Sequence, residues 1–205
     1  MLEQWVAPIL TPNAKVLEVG CAGGDFSRSL AERSMRVSAV DRSSQMLVKA
    51  QQMPSPVQFN QADATRLPFP DQHFDVVLAA SLINVVDSPR AVLAEMRRVC
   101  REGGTVSVLV PSQSFSDADA KRYLEAEQLT GFSRAAFLTW NRLGRKMDAD
   151  VLHSYFKDCG MTNITTRNLL GGMVVAICGQ PGISPIEPND GHHVAHPIHA
   201  CSPLT

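Results

Sequence analysis

Val16-Leu-Glu-Val-Gly-Cys-Ala-Gly-Gly24, with Asp41 following 17 residues after Gly24, decides how this 205-residue chain is read. The short apolar run Val16 to Val19 predicts a buried parallel strand. Gly20, Gly23 and Gly24 predict a turn in which side chains would be in the way. Asp25 to Arg33 reads as a helix with Phe26, Leu30 and Ala31 on its inner side, and Arg36 to Val40 as a second strand. The layout is strand, glycine turn, helix and strand with an acid at its tip. It sets a carboxylate at the carboxyl end of a neighbouring strand, where open α/β sheets bind ligands.

A carboxylate there is suited to both hydroxyls of a ribose, so the expected ligand carries an adenosine-like group. Dinucleotide sites use G-x-G-x-x-G to seat a pyrophosphate on the helix N-terminus. Here Ala22 holds the second glycine position and Asp25 the third, and Glu18 adds another negative charge before the turn. Glu18, Asp25 and Asp41 suit a ligand bearing an ammonium and a sulfonium better than one bearing phosphates. S-adenosylmethionine (SAM) carries both cations.

These residues carry a family resemblance. Glu18 to Gly24 resembles the first motif of class I SAM-dependent methyltransferases, in which a glycine usually stands where this chain has Ala22. Gln61-Ala-Asp-Ala-Thr-Arg-Leu-Pro-Phe-Pro-Asp-Gln-His-Phe-Asp-Val-Val77 resembles the segment from the third to the fourth strand. Ser81-Leu-Ile-Asn-Val-Val-Asp87 resembles the loop and helix start after the fourth strand. Within the family these stretches are most similar to the methyltransferase type 11 branch, which holds the ubiquinone and menaquinone C-methyltransferases. The resemblance covers residues 14–110 well and 148–179 more loosely.

The remaining pattern continues the α/β alternation. Helices are expected over Glu3–Leu10, Ser43–Gln52, Pro89–Cys100 and Ala149–Cys159, with Ser43 as an N-cap and Gly103-Gly104 closing the third as a helix C-terminus. Strands are expected over Val57–Gln61, Phe74–Ala80 and Thr105–Val110. Ile164–Leu170 and Met173–Cys178 flank Gly171-Gly172 and predict a hairpin. The residues alone give an α/β class. The resemblance implies a Rossmann-like three-layer sandwich whose seven-stranded, mostly parallel sheet has an antiparallel last strand.

Composition places the chain among single globular domains. A formal net charge of −1 argues against general nucleic-acid binding. The N-terminal residues show no basic-then-apolar secretory pattern, and no apolar run approaches the roughly 20 residues of a membrane span. Five cysteines at 21, 100, 159, 178 and 201, odd in number and widely spaced, fit reduced thiols and a cytoplasmic location. The methyltransferase domain is expected over 1–180. Residues 112–147, with Phe115, Tyr123, Phe132, Phe137 and Trp140, are expected to form a substrate cover; the alternative is a helix pair packed on the domain with its aromatics as core. Residues 181–205 read as a flexible tail rich in proline and histidine. Its His192, His193, His196, His199 and Cys201 have metal-binding chemistry but no framework to fix geometry, so no metal site is expected.

The resemblance implies the cofactor-binding set. Asp41 would accept the ribose hydroxyls, and Gly20 and Gly24 would let backbone approach the cofactor. Glu18 would hold the turn or, through water, the ligand ammonium. Met46 would pack on adenine, or else belong to the core. Asp63 would accept the adenine amine while Ala64 offers its N–H, and Ser81, with Leu82, would border the methionine portion. Cys21, Ala22 and Arg42 complete the set. Asn84 matches an asparagine of the quinone-methylating branch, though a helix cap explains it equally well, and His73 reads as a turn residue away from the site. The expected reaction is methyl transfer from SAM to a small-molecule acceptor at O, C, N or S; the alternative is a SAM-fold binding protein without turnover, with the tail binding metal. No catalytic residue is named by the sequence. Asp117, Tyr123 and His153 are base candidates by region only, and Ala80-Ser-Leu-Ile83 stands where nucleic-acid amine methyltransferases carry an Asn/Asp-Pro-Pro-Tyr/Phe run. Oligomeric state stays open.

Overall fold

Parallel strands must be covered on both faces, and their side chains alternate between them. Strand β1 (Lys15–Val19) obeys this rule, with Leu17 and Val19 on one face and Val16 on the other. The computed structural model describes residues 2–33, 35–128 and 130–182. β1 pairs in parallel with β2 (Arg36–Asp41) and β4 (Phe74–Ala80), and β2 pairs in parallel with β3 (Gln58–Gln61). β4 continues in parallel to β5 (Cys100–Pro111), which meets β7 (Val174–Pro181) antiparallel; β6 (Met161–Leu169) closes the far edge. The described order is β3-β2-β1-β4-β5-β7-β6, one seven-stranded sheet, as expected.

The helices follow from the two apolar faces. Leu93 and Met96 of α4 (Pro89–Val99) and Leu152 and Phe156 of α7 (Ala149–Asp158) cover Leu17, Val19, Val77, Val106 and Val108. The other face, Val16, Val76, Leu78 and Leu109, is covered by Trp5 of α1 (Leu2–Val6), Phe26 and Leu30 of α2 (Asp25–Ala31) and Leu47 of α3 (Ser44–Ala50). Trp5 is fully buried; its ring stacks on Phe26 at 5.6 Å and its Nε1 donates to Ser107 Oγ at 2.8 Å. The indole N–H thus has the partner that burial demands. Ser43 caps α3 as expected, accepting from Met46 N at 3.3 Å.

Two expectations are corrected. Gly103-Gly104 does not end α4. Cys100 is already extended (φ −84°, ψ 131°), and both glycines lie within β5. The pairing with β4 is irregular between Phe74 and Val76, and a Cβ on Gly104 would stand 2.7 Å from Asp75 O, so glycine is required there by a strand bulge. The hairpin between β6 and β7 exists, but its turn is a 3-10 segment, Leu170–Gly172, rather than a two-residue loop. β7 runs through Pro181, and Gly182 N donates to Gly160 O at 3.1 Å.

Residues 112–147 hold α5 (Asp117–Ala126), opened by a capping box between Ser116 and Asp119, and α6 (Gly131–Leu143). Phe115 and Ala120 are buried in the cluster that contains Trp5 and Phe26, and Tyr123 stacks on Phe137 at 5.3 Å. These aromatics pack on the domain. The side chains of Phe132 and Trp140 lie outside the described residues, as do the tail residues 183–205 and so the expectations placed on His192, His193, His196, His199 and Cys201.

Candidate functional site

The sheet reverses its winding between β1 and β4, and an open α/β sheet leaves a crevice at the carboxyl ends of its strands there. A cavity of about 560 Å³ occupies that place. Its wall comes from four strand ends: Val19 and Gly20 after β1, Val40, Asp41 and Arg42 at β2, Ala62 to Thr65 after β3, and Leu82 with Val85 to Ser88 after β4, joined by Val92 of α4. Its volume lies within the roughly 300–1,000 Å³ usual for small-molecule sites.

The turn after β1 is built for close approach. Gly20 has φ +80°, and its N–H and that of Cys21 both donate to Val40 O, at 2.8 and 3.0 Å. A Cβ on Gly20 would come within 3.1 Å of the Leu82 side chain, a second residue of the wall. Ala22 has φ +46°, a left-handed conformation unfavourable for alanine, which explains why its relatives by resemblance prefer glycine there. The Ala22 N–H is held by Asp41 Oδ2 at 2.9 Å, while Asp41 Oδ1 accepts from Ser43 N at 2.8 Å. One carboxylate therefore ties the glycine turn to the start of α3.

Beneath the turn, Glu18 is 3% exposed and accepts from Ser27 Oγ. Burial pushes its carboxyl up to about 7, the Ser27 bond works against that, and Asp41 and Asp25 add to it. Burial pushes the Cys21 thiol up to about 12, with Glu18 and Asp41 contributing, so Cys21 carries no thiolate for nucleophilic chemistry near neutral pH. Asp63 Oδ1 accepts from Thr65 N at 2.8 Å and Thr65 Oγ1 at 2.6 Å, bonds that hold its carboxyl below the ordinary value.

Of the residues the sequence singled out, the cavity wall gathers Gly20, Asp41, Arg42, Asp63 and Ala64. Glu18, Cys21, Ala22, Gly24, Met46 and Ser81 stand outside it. Gly24 faces neighbouring elements instead: at φ +75°, a Cβ there would lie 2.7 Å from the Phe59 ring and 3.0 Å from Ala50. Met46 is 44% exposed on α3. Asp117, Tyr123 and His153 are likewise absent from the wall. Asp117 accepts from Asn141 Nδ2 at 3.2 Å, Tyr123 is in the aromatic stack, and His153 lies exposed on α7. His73 lies at the opposite edge of the sheet, where its N–H donates to Val99 O.

The wall also includes Thr65, Val85, Val86, Asp87, Ser88 and Val92, which the residue-by-residue reading passed over. Thr65 had a legible signal, an Asp-x-Thr turn that ties Asp63. Asn84 is buried; its Nδ2 donates to Arg145 O at 3.0 Å, linking the loop after β4 to the end of the 112–147 segment. Asp41, Asp63 and Asp87 against Arg42 make the wall predominantly anionic. That charge fits a ligand with an ammonium and a sulfonium and opposes a pyrophosphate.

Comparison with known proteins agrees with this geometry. Residues 17–108 match the family described as a methyltransferase domain. The chain is 30% identical over 172 residues to demethylmenaquinone methyltransferase of Renibacterium salmoninarum, covering 80% of this chain and 73% of that one. It is 41% identical over 101 residues to phosphatidylethanolamine N-methyltransferase of Cereibacter sphaeroides, where the match spans 46% of this chain and about half, 49%, of the relative. A SAM-dependent methyltransferase from Aquifex aeolicus shares the fold with a TM-score of 0.67 at 15% identity, over 87% of this chain and 88% of that one. The chain belongs to the class I SAM-dependent methyltransferases. It is accordingly an enzyme, and its cofactor is SAM.

Proposed function

We propose that this enzyme methylates a small-molecule acceptor, with the cofactor seated in the cavity at the ends of β1 to β4. The observation that carries the reading is the convergence of Gly20, Asp41, Asp63 and Ala64, far apart in sequence, on one anionic wall. Asp41 would accept the ribose hydroxyls with the lone pairs left by Ala22 and Ser43. Asp63 would take the adenine amine beside the Ala64 N–H, and Arg42 would flank them. Glu18 would support the turn from below. The apolar part of the wall, Leu82, Val85, Val86 and Val92, would exclude water.

Bound SAM supplies an electrophilic methyl carbon on a sulfonium. The chain's own contribution is then to align the acceptor and shield it from solvent, and a general base is optional where the acceptor is itself acidic. The 112–147 segment is the proposed acceptor-side cover within a unit spanning 1–180. Ser112 bridges Met147 just beyond the carboxyl end of β5, and Arg145 O is tied to Asn84 of the cavity loop. The two relatives are named for phosphatidylethanolamine and demethylmenaquinone, which supports a small-molecule acceptor over nucleic acid. A cytoplasmic location is part of the proposal. It is supported by the four described cysteines, all free; no described helix is long and apolar enough to cross a membrane.

The test is turnover: S-adenosylhomocysteine production measured against a panel of phenol, enolisable ring, amine and thiol acceptors. Formation with one acceptor class, abolished in a folded Asp41→Ala protein, is the expected result. Transfer only to nucleic acid or protein would overturn the acceptor assignment.

A further inference from the structure

A second cavity, of about 290 Å³, opens at the other edge of the same sheet, at the amino ends of β1 to β4. Lys15, Arg36, Ser38, Gln58 and His73 stand in its wall beside Val37 and Phe74. Lys15 and Arg36 are register partners on adjacent parallel strands, so two cations stand side by side on one face. Like charges opposed across strands are destabilising unless something neutralises them. The nearby carboxylate is Asp75, which is divided among several partners: Oδ2 accepts from the Lys15 backbone N–H at 2.7 Å, Oδ1 pairs with Arg101 Nε at 2.6 Å, and Arg36 attracts it without a direct ion pair among the described residues. Arg36 Nε donates to Asn13 O at 3.2 Å. Among the described residues no ion pair or hydrogen bond engages the Lys15 ammonium. Its accessible apolar surface is Met35, half-buried, and Pro56, exposed, while Val37 and Phe74 beneath are buried. The His73 ring packs edge-on against Phe74 at 4.8 Å.

We propose that this cavity is a second ligand site, for a small organic anion: a phosphate or carboxylate set between Lys15, Arg36 and His73, with an apolar body laid on Met35 and Pro56. Ser38 and Gln58 supply neutral hydrogen-bonding groups at its side. β1 is 5 residues long, so the site lies roughly 17 Å along the strand from the methyl-transfer cavity and does not overlap it. The charge balance distinguishes the two: the carboxyl-end cavity is anionic and selects cations, the amino-end cavity is cationic and selects anions.

The test uses the full chain, 15N-labelled and saturated with S-adenosylhomocysteine, titrated with phenyl phosphate, inorganic phosphate and phenol. Saturable amide shifts centred on Lys15, Val37 and Phe74 are expected with phenyl phosphate, a several-fold weaker response with inorganic phosphate, and none with phenol. Lys15→Met with Arg36→Met should weaken phenyl phosphate at least tenfold. The single changes Lys15→Gln and Arg36→Gln, each expected to weaken binding at least threefold, serve if the double variant does not fold. Shifts that do not saturate, that centre on Gly20 and Asp63 instead, or that persist unchanged in the variants overturn the proposal. Equal responses to inorganic and phenyl phosphate overturn its apolar part.

Discussion

Gly24→Ala separates a glycine needed for packing from one needed for ligand approach. Gly24 sits at φ +75° as the N-cap of α2, and an L-residue held there pays about 1–2 kcal/mol. The added methyl would lie 2.7 Å from two carbons of the Phe59 ring and 3.0 Å from Ala50 Cβ. The ring bridges β3 and the glycine turn, so relieving the overlap requires α2 or β3 to shift, a cost of about 1–3 kcal/mol for overpacking. Together the two effects predict a loss of about 2–5 kcal/mol, a large share of the roughly 5–15 kcal/mol that holds a domain together. Urea unfolding followed by circular dichroism should show the midpoint fall with the slope unchanged. In a Phe59→Ala background the ring overlap is gone and only the 3.0 Å approach to Ala50 Cβ remains, so the same change should cost less, the backbone part of about 1–2 kcal/mol plus what that approach adds. A midpoint unchanged by Gly24→Ala, or an equal loss with and without the Phe59 ring, would refute the packing argument.

Asp41→Ala should weaken SAM by about 1.5–3 kcal/mol, the scale of hydrogen bonds to a charged group, as read by calorimetry; unchanged affinity in a folded protein sinks the ribose role. Ala22→Gly should stabilise the protein by a few tenths to about 1 kcal/mol, because relief at φ +46° outweighs the added chain entropy. Glu18 has its carboxyl raised from 4.5 to about 7, so the folded state binds the proton more tightly than the unfolded one. Its contribution is fully present below about pH 4.5 and is lost as pH rises to about 7. The amount is about 3 kcal/mol, and a Glu18→Gln protein should show a flatter stability profile across that window. NAD should not bind at concentrations that saturate with SAM; calorimetry showing tight NAD binding would contradict the anionic wall.

Much of the fold is local in origin and so readable from the chain. The alternation of Val16, Leu17 and Val19, the glycine turn and the 17-residue spacing to Asp41 each constrain a strand, a turn and a strand end without reference to distant residues. The cap at Ser43 and the glycines between β6 and β7 are equally local signals. Gly103-Gly104 misled because a helix end and a strand bulge use the same conformational freedom, and only the pairing of β5 with β4 distinguishes them. Tertiary structure alone decided the rest. It assigned Gly24 to Phe59 and Ala50 rather than to the cavity, and brought Thr65, Val85 and Asp87 into the wall beside Asp41. It buried Glu18 deeply enough to hold its proton near neutral pH, and set Lys15 against Arg36. Contact, burial and register depend on which elements become neighbours. That choice is made by the whole hydrophobic surface at once rather than by any single stretch of sequence.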